Sequence, residues 1–205
     1  MSGGQYEVVL FDVGGVLLTN GWDHKERRVL LEQFQIDRDA FEARHPDPYD
    51  ALERDSISMS EYLQATIFYE PRSFTEAEFV DAMKKVSLPI PDNALSVLSE
   101  VSRSCNWLVG LLNNESRLLH EYRMDKYDIE QHLDIQLSSC YLGLRKPEPL
   151  IYRRALDILG RPAERVIFID DRANNTAAAA AAGIHAIQFL GEEKLRRDLK
   201  QIGIL

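Results

Sequence analysis

Residues 166–175 read Val166-Ile167-Phe168-Ile169-Asp170-Asp171-Arg172-Ala173-Asn174-Asn175, and this stretch decides the fold. Four apolar residues without alternation fit a strand buried on both faces, as in a parallel sheet covered by helices. Two adjacent carboxylates follow at its end, where they repel by roughly a few kcal/mol unless a cation sits between them. Four more runs share the strand character, at residues 8–13, 107–112, 135–137 and 185–189. Helical patterns at 115–124, 148–159 and 173–182 alternate with them, the second repeating Leu150, Ile151, Ala155, Leu156 and Leu159 at helical spacing. The alternation predicts an α/β fold, a five-stranded parallel sheet with helices on both faces. The alanines at 177–182 suit a helix that must approach the sheet closely, and Gly183 stops it.

Residues 19–90 break the alternation, offering no convincing strand but helical patterns at 25–34, 60–69 and 76–86. Ser58 with Glu61 and Thr75 with Glu78 have the spacing of capping boxes, in which hydroxyl and carboxylate satisfy orphan amides reciprocally. The segment holds 15 acidic and 9 basic residues, so it carries −6 of the net −9. It reads as a small all-α lobe inserted after the first strand, with the core formed by residues 1–18 and 91–205 and the insert by 19–90. Pro89 and Pro91 close it, and Asp92 is expected to cap a helix at 93–102.

At 205 residues, 45% hydrophobic and 28% charged, the chain has a globular composition with material for a real core. A pI near 5.1 and the lack of Lys/Arg runs argue against a nucleic-acid partner. Cys105 and Cys140 lie in no metal-ligand spacing and are expected to be buried free thiols in a reducing cytoplasm. The apolar stretch 8–18 carries Asp12 and lacks a basic lead, so neither a signal peptide nor a membrane partner is expected. The expected location is cytoplasmic, and nothing in the sequence sets an oligomeric state.

The chemistry collects at the carboxyl ends of the strands, where an open α/β sheet places its sites. The first strand ends in Phe11-Asp12-Val13-Gly14-Gly15-Val16, an aspartate followed by glycines whose amides can approach an anion closely. The second ends in Leu111-Leu112-Asn113-Asn114, and Leu144-Arg145-Lys146-Pro147 presents a base just before a helix. Singly these are weak: an Asp or Asn pair at a strand end often only makes a turn, and a loop lysine is usually solvated. The order Asp, amide, Lys, Asp-Asp at four tips of one sheet is specific. A carboxylate so placed can attack phosphorus in line, with a metal and Lys146 offsetting charge on the non-bridging oxygens, and water then cleaves the acyl-phosphate.

These motifs resemble those of the haloacid dehalogenase superfamily, in its capped, phosphatase-like branch, and the resemblance covers essentially the whole chain. It implies a Rossmann-like core with sheet order 5-4-1-2-3 and the helical insert as a cap. It also implies Asp12 as nucleophile and Mg2+ ligand, with the Gly14 carbonyl and Asp171 as further ligands, and Asp170 and Asn175 holding the metal's water shell. Gly15, Asn113, the Asn114 amide and Lys146 would hold the phosphoryl group. Residues at the mouth of the cap would choose the substrate, nominating Asn20, Trp22, His24, Arg44, His45 and Tyr49. The implied substrate is a small phosphorylated metabolite.

Two positions depart from the family pattern. Its phosphatases carry a second Asp two residues after the nucleophile as general acid, and here that residue is Gly14. Where the second motif offers Ser or Thr, this chain has Asn113. Since some relatives with Gly at that first position keep the rest of the constellation, the loss is expected to slow turnover, by about 10² to 10⁴ for a missing acid. A 2-haloacid dehalogenase needs no second Asp, but 13–16 lacks that signature's Tyr and Thr and a metal-free enzyme does not require Asp170-Asp171. A non-catalytic binding protein that keeps the pocket is the third alternative.

Overall fold

A computed structural model describes residues 5–205. Strands β1 (Val8–Phe11), β2 (Leu108–Leu111), β3 (Ile135–Gln136), β4 (Val166–Asp170) and β5 (His185–Gln188) form one parallel sheet in the order β3-β2-β1-β4-β5. This is the expected order 5-4-1-2-3 seen from the other edge. Alternate residues of the central strands face opposite layers, as the two-residue period of a strand requires. Val9, Phe11, Val109, Leu111, Ile167 and Ile169 share one core with α6 (Leu95–Ser104), α7 (Arg117–Lys126) and α11 (Glu192–Gln201). Val8, Leu10, Val166 and Phe168 share the other with α9 (Pro149–Leu159) and α10 (Ala173–Ala181), where Ala179 gives the close approach expected of the alanine run. A one-turn helix, α8 (Ser139–Leu142), follows β3.

Between β1 and α6 the chain forms five helices: α1 (His24–Gln33), α2 (Arg38–Glu42), α3 (Pro46–Glu53), α4 (Met59–Thr66) and α5 (Glu76–Lys85). Both capping boxes are present, at the starts of α4 and α5. The sequence signals three of these helices; α2 spans five residues and buries only Phe41, and α3 buries only Leu52 and Glu53, so neither shows an apolar period. The helices wrap their own core around Trp22, Leu30, Phe41, Tyr62, Leu63 and Phe79, which also takes Leu119 from α7. The two connecting segments are zipped together, with Thr19 N–H donating to Leu88 O at 2.7 Å and Leu88 N–H to Thr19 Oγ1 at 3.2 Å.

Two local expectations are corrected. Asp92 does not cap the next helix, because it adopts φ 50° in a turn, α6 starts at Leu95, and Asn93 Oδ1 accepts the Leu95 N–H instead. Cys105 is exposed, standing at the left-handed end of α6, while Cys140 is buried as expected. The sequence reading passes over α11, which shows only Leu195 and Leu199 as an apolar face amid charge. Among the described residues, no helix is long and apolar enough to cross a membrane.

Candidate active site

The parallel register sets the site. Phe11 pairs with Ile169 and Asp12 N–H donates to Ile169 O at 2.8 Å, so the strand ends deliver Asp12 and Asp170 side by side. With Asp171, each offers a carboxylate oxygen within 4.8 Å of the others. Lys146 Nζ lies 2.9 Å from Asp12 Oδ1 and 2.6 Å from Asp170 Oδ2. Asn114 places that lysine: its Oδ1 accepts Lys146 N–H at 2.8 Å and its Nδ2 donates to Lys146 O at 2.9 Å.

The three carboxylates differ in what holds them. Asp170 is fully buried and saturated, taking Asn175 Nδ2 on both oxygens at 3.0 Å and the Arg172 N–H at 2.8 Å besides Lys146. Asp12 Oδ1 accepts the Val13 N–H at 2.8 Å, so with Lys146 on the same atom only Oδ2 remains open. Asp171 Oδ1 is buried with no partner. Gly15, at φ 72°, clears the space for it: a Cβ there would stand 2.2 Å from Asp171 Oδ2. Burial pushes the Asp12 carboxyl up, against the pull of Lys146; burial and then Asp170 push Asp171 up. Burial opposes the Lys146 charge, but Asp12 and Asp170 outweigh it and hold its pKa above the ordinary value. Oxygen-only donors, an orphaned buried carboxylate oxygen and a side-chain-free cradle together fit a hard divalent cation.

A crevice of about 300 Å³ opens above this cluster, lined among others by Asp12, Gly14, Asn20, Tyr49, Asn114, Lys146 and Asn175. Other nominated residues lie elsewhere. Asn113 is buried outside the lining, its Nδ2 3.4 Å from His120 Nδ1, while His120 Nε2 meets Gln136 Oε1 at 2.7 Å. The Gly15 N–H is spent on Leu18 O at 2.8 Å, so this glycine serves as the cradle for Asp171. Trp22 is core, edge-on to Phe41 and Phe79 with Nε1 donating to the Tyr62 hydroxyl at 2.7 Å. His45 is buried against Phe41 and Tyr49, its Nδ1 2.8 Å from the same hydroxyl. Arg44 lies over the Tyr69 ring at 4.0 Å, and His24 is an exposed first residue of α1.

The family model of the haloacid dehalogenase-like hydrolases matches residues 6–183. The chain belongs to this family. A HAD-family enzyme from Bacteroides thetaiotaomicron superposes with a TM-score of 0.81 at 19% identity, covering 96% of this chain and 99% of that one. The same enzyme has been crystallised with magnesium and inorganic phosphate. Bifunctional epoxide hydrolase 2 of Rattus norvegicus is 26% identical over 218 residues, 95% of this chain and 38% of that protein. Flavin mononucleotide hydrolase 1 of Arabidopsis thaliana is 35% identical over 80 residues, 39% of this chain and 33% of that protein. The chain thus spans about two fifths of the rat protein's length and matches a third of the plant one's.

In this haloacid dehalogenase-like hydrolase the crevice also holds charged residues that sequence reasoning does not single out: Asp23, Glu53, Arg123, Arg145, Glu148 and Arg172. Arg145 reaches back to the helical lobe, with Nη1 2.6 Å from Asp50 and Nε 2.5 Å from Glu53, and Arg172 Nη2 lies 2.6 Å from Asp23. Arg123, on α7, pairs with the buried Glu115 at 2.6 Å and donates to Thr19 O in the connecting segment. Arg145 could have been flagged by its place beside Lys146. Glu53 carries no sequence signal, because a glutamate at a helix end is ordinarily solvated and only the docking of α3 buries it.

Proposed function

We propose that this hydrolase is a Mg2+-dependent phosphatase of small phosphorylated metabolites, acting through an aspartyl-phosphate on Asp12. The observation that carries this reading is the convergence of Asp12, Asp170 and Asp171 on one point beside Lys146. Val13 N–H and Lys146 hold Asp12 Oδ1, which orients Oδ2 as the attacking atom. The Lys146 ammonium, fixed through its peptide by Asn114, faces the charge that grows on the phosphoryl oxygens. Asp12, Asp171 and the Gly14 carbonyl would hold Mg2+, with Asp170 and Asn175 ordering its water, and the ion would supply neutralising charge to the phosphoryl group. The magnesium and phosphate complex of the Bacteroides enzyme supports this choice of ion. Residues 19–90 act as the cap over the crevice, to which they lend Asn20 and Tyr49.

A second reading, dehalogenation of a 2-haloacid, is favoured by Gly14, since a halide needs no proton to leave. The deciding experiment assays p-nitrophenyl phosphate and L-2-chloropropionate side by side, after exhaustive EDTA and after Mg2+ is restored. Ester cleavage that needs Mg2+ and disappears in Asp12→Asn supports the phosphatase. Chloride release indifferent to EDTA, with no ester cleaved, refutes it.

A further inference from the structure

We infer that Glu53, carried on α3 of the helical lobe, is the group that gives a proton to the leaving oxygen and later takes one from water. The inference rests on the phosphatase reading and answers a gap in it. Gly14 stands where the resemblance expects an acid, and the room beside it is taken: a Cβ on Gly14 would lie 2.8 Å from Asn20 Oδ1, and an amide has no proton to give at neutral pH.

The crevice offers few replacements. Among the described residues no histidine lines it. The Tyr49 phenol is pushed well above its ordinary pKa by burial and by Glu53, which makes it a poor donor. Three carboxylates outside the aspartate cluster line it, namely Asp23, Glu53 and Glu148. Asp23 caps α1 through the His24 N–H at 2.7 Å and pairs with Arg172, and the Glu148 side chain is 40% exposed and paired with Arg54. Glu53 is the buried one, its side chain 4% exposed. Its Oε2 forms a salt bridge with Arg145 Nε at 2.5 Å, and neither atom has a further hydrogen-bond partner. Burial pushes its carboxyl up in spite of Arg145 and of the Tyr49 hydroxyl, the direction a proton donor needs. Arg145, Tyr49, Arg172 and Glu115 are the titratable groups around it.

The steps balance. Asp12 Oδ2 bonds to phosphorus, the ester P–O bond breaks, and its electron pair takes the Glu53 proton to release the alcohol. A water oxygen then bonds to phosphorus while the Glu53 carboxylate takes its proton, and the Asp12–phosphorus bond breaks with its pair returning to the aspartate. Ester and water become alcohol and phosphate, and Glu53 ends in the protonation state in which it entered the cycle.

The opposing possibility is that Glu53 only ties α3 to the core through Arg145. The test measures kcat/KM in Mg2+ for p-nitrophenyl phosphate, whose leaving group needs little protonation, and for 2-glycerophosphate, whose alkoxide needs it. Glu53→Gln should lower the value for 2-glycerophosphate by about 10² and that for p-nitrophenyl phosphate by far less, with a burst of p-nitrophenolate as the aspartyl-phosphate accumulates. Arg145→Gln breaks the same ion pair but keeps the carboxyl, so the ratio of the two esters should stay that of the wild type. Equal losses on both esters in Glu53→Gln, no loss, or the same change of ratio in Arg145→Gln would overturn the assignment while leaving the phosphatase reading in place. A wild-type protein that cleaves neither ester removes both. The double variant Glu53→Gln/Arg145→Gln leaves no unpaired buried charge and carries the same ratio test if the single variant does not fold.

Discussion

Lys146→Met isolates the electrostatic centre of the site, because methionine nearly matches the lysine stem in volume and can keep the packing near the Phe168 ring, 5.1 Å from Nζ. The lysine side chain is 1% exposed and its ammonium touches two carboxylates, so the substitution leaves Asp12 and Asp170 facing each other uncompensated. Removing one partner of a buried charge cluster costs about 3–5 kcal/mol. For a chain of this length that is a fall in melting temperature of about 6–12 °C in EDTA. The sign of the pH dependence follows from Asp12. Burial already holds its carboxyl up at about 8 in the wild type, against the pull of Lys146, and losing that pull raises it further, so above about pH 8 the folded variant keeps a proton that the folded wild type gives up. The folded variant then binds more protons relative to its unfolded chain than the wild type does, and its deficit against the wild type grows as pH rises past about 8. Mg2+ should restore part of the loss by mass action, about 2.7 kcal/mol at a hundred times its Kd, and should stabilise the variant more than the wild type, whose carboxylates are already half neutralised. Differential scanning fluorimetry against pH and Mg2+ reads all of this. A fall under about 2 °C in EDTA, or an equal Mg2+ increment in both proteins, would refute the picture of a charged buried cluster.

Asp171→Asn should weaken Mg2+ binding, followed by calorimetry, more than Asp170→Asn does, because Asp171 has the open oxygen while Asp170 is saturated by Lys146, Asn175 and Arg172; Asp170→Asn should instead lower stability more. Gly15→Ala should cost about 1–2 kcal/mol for the left-handed backbone and also reduce Mg2+ affinity, since its Cβ must displace Asp171 Oδ2 from 2.2 Å; a variant with wild-type affinity would remove the cradle argument. His45 is held neutral by burial, with its pKa lowered to about 3 from 6.5, so the unfolded chain binds its proton first and stability drains as pH falls from 6.5 toward 3. Between pH 7 and pH 4.5 wild type should lose about 2.5 kcal/mol more than His45→Gln does, as urea melts would show, and parallel losses would contradict it.

How much of this was legible beforehand can be followed residue by residue. Asp12, Asp170 and Asp171 sit at strand ends whose apolar runs are unmistakable, parallel strands with helical crossovers leave one place for those ends to meet, and Lys146 joins them from the loop before α9. The helical insert was legible through its broken alternation and its two capping boxes. Asn114 was legible as a strand-tip amide, but its grip on the Lys146 peptide depends on how the 145–148 loop folds back, which no local pattern encodes.

The sequence by itself determined the α/β class, the five strands, the insert and the aspartate–lysine centre, because hydrophobic period and strand-end polarity are local properties that survive any packing. Only the tertiary structure decided which insert residues face the crevice. Trp22 and His45 looked like binding residues because aromatic and imidazole groups serve binding and packing equally well; enclosure by Phe41, Tyr62 and Phe79 made them core. Glu53 shows the converse, an ordinary acidic residue by composition. The docking of α3 against Arg145 removes it from water, and that desolvation, which depends on neighbours far apart in the chain, makes it a group capable of proton transfer.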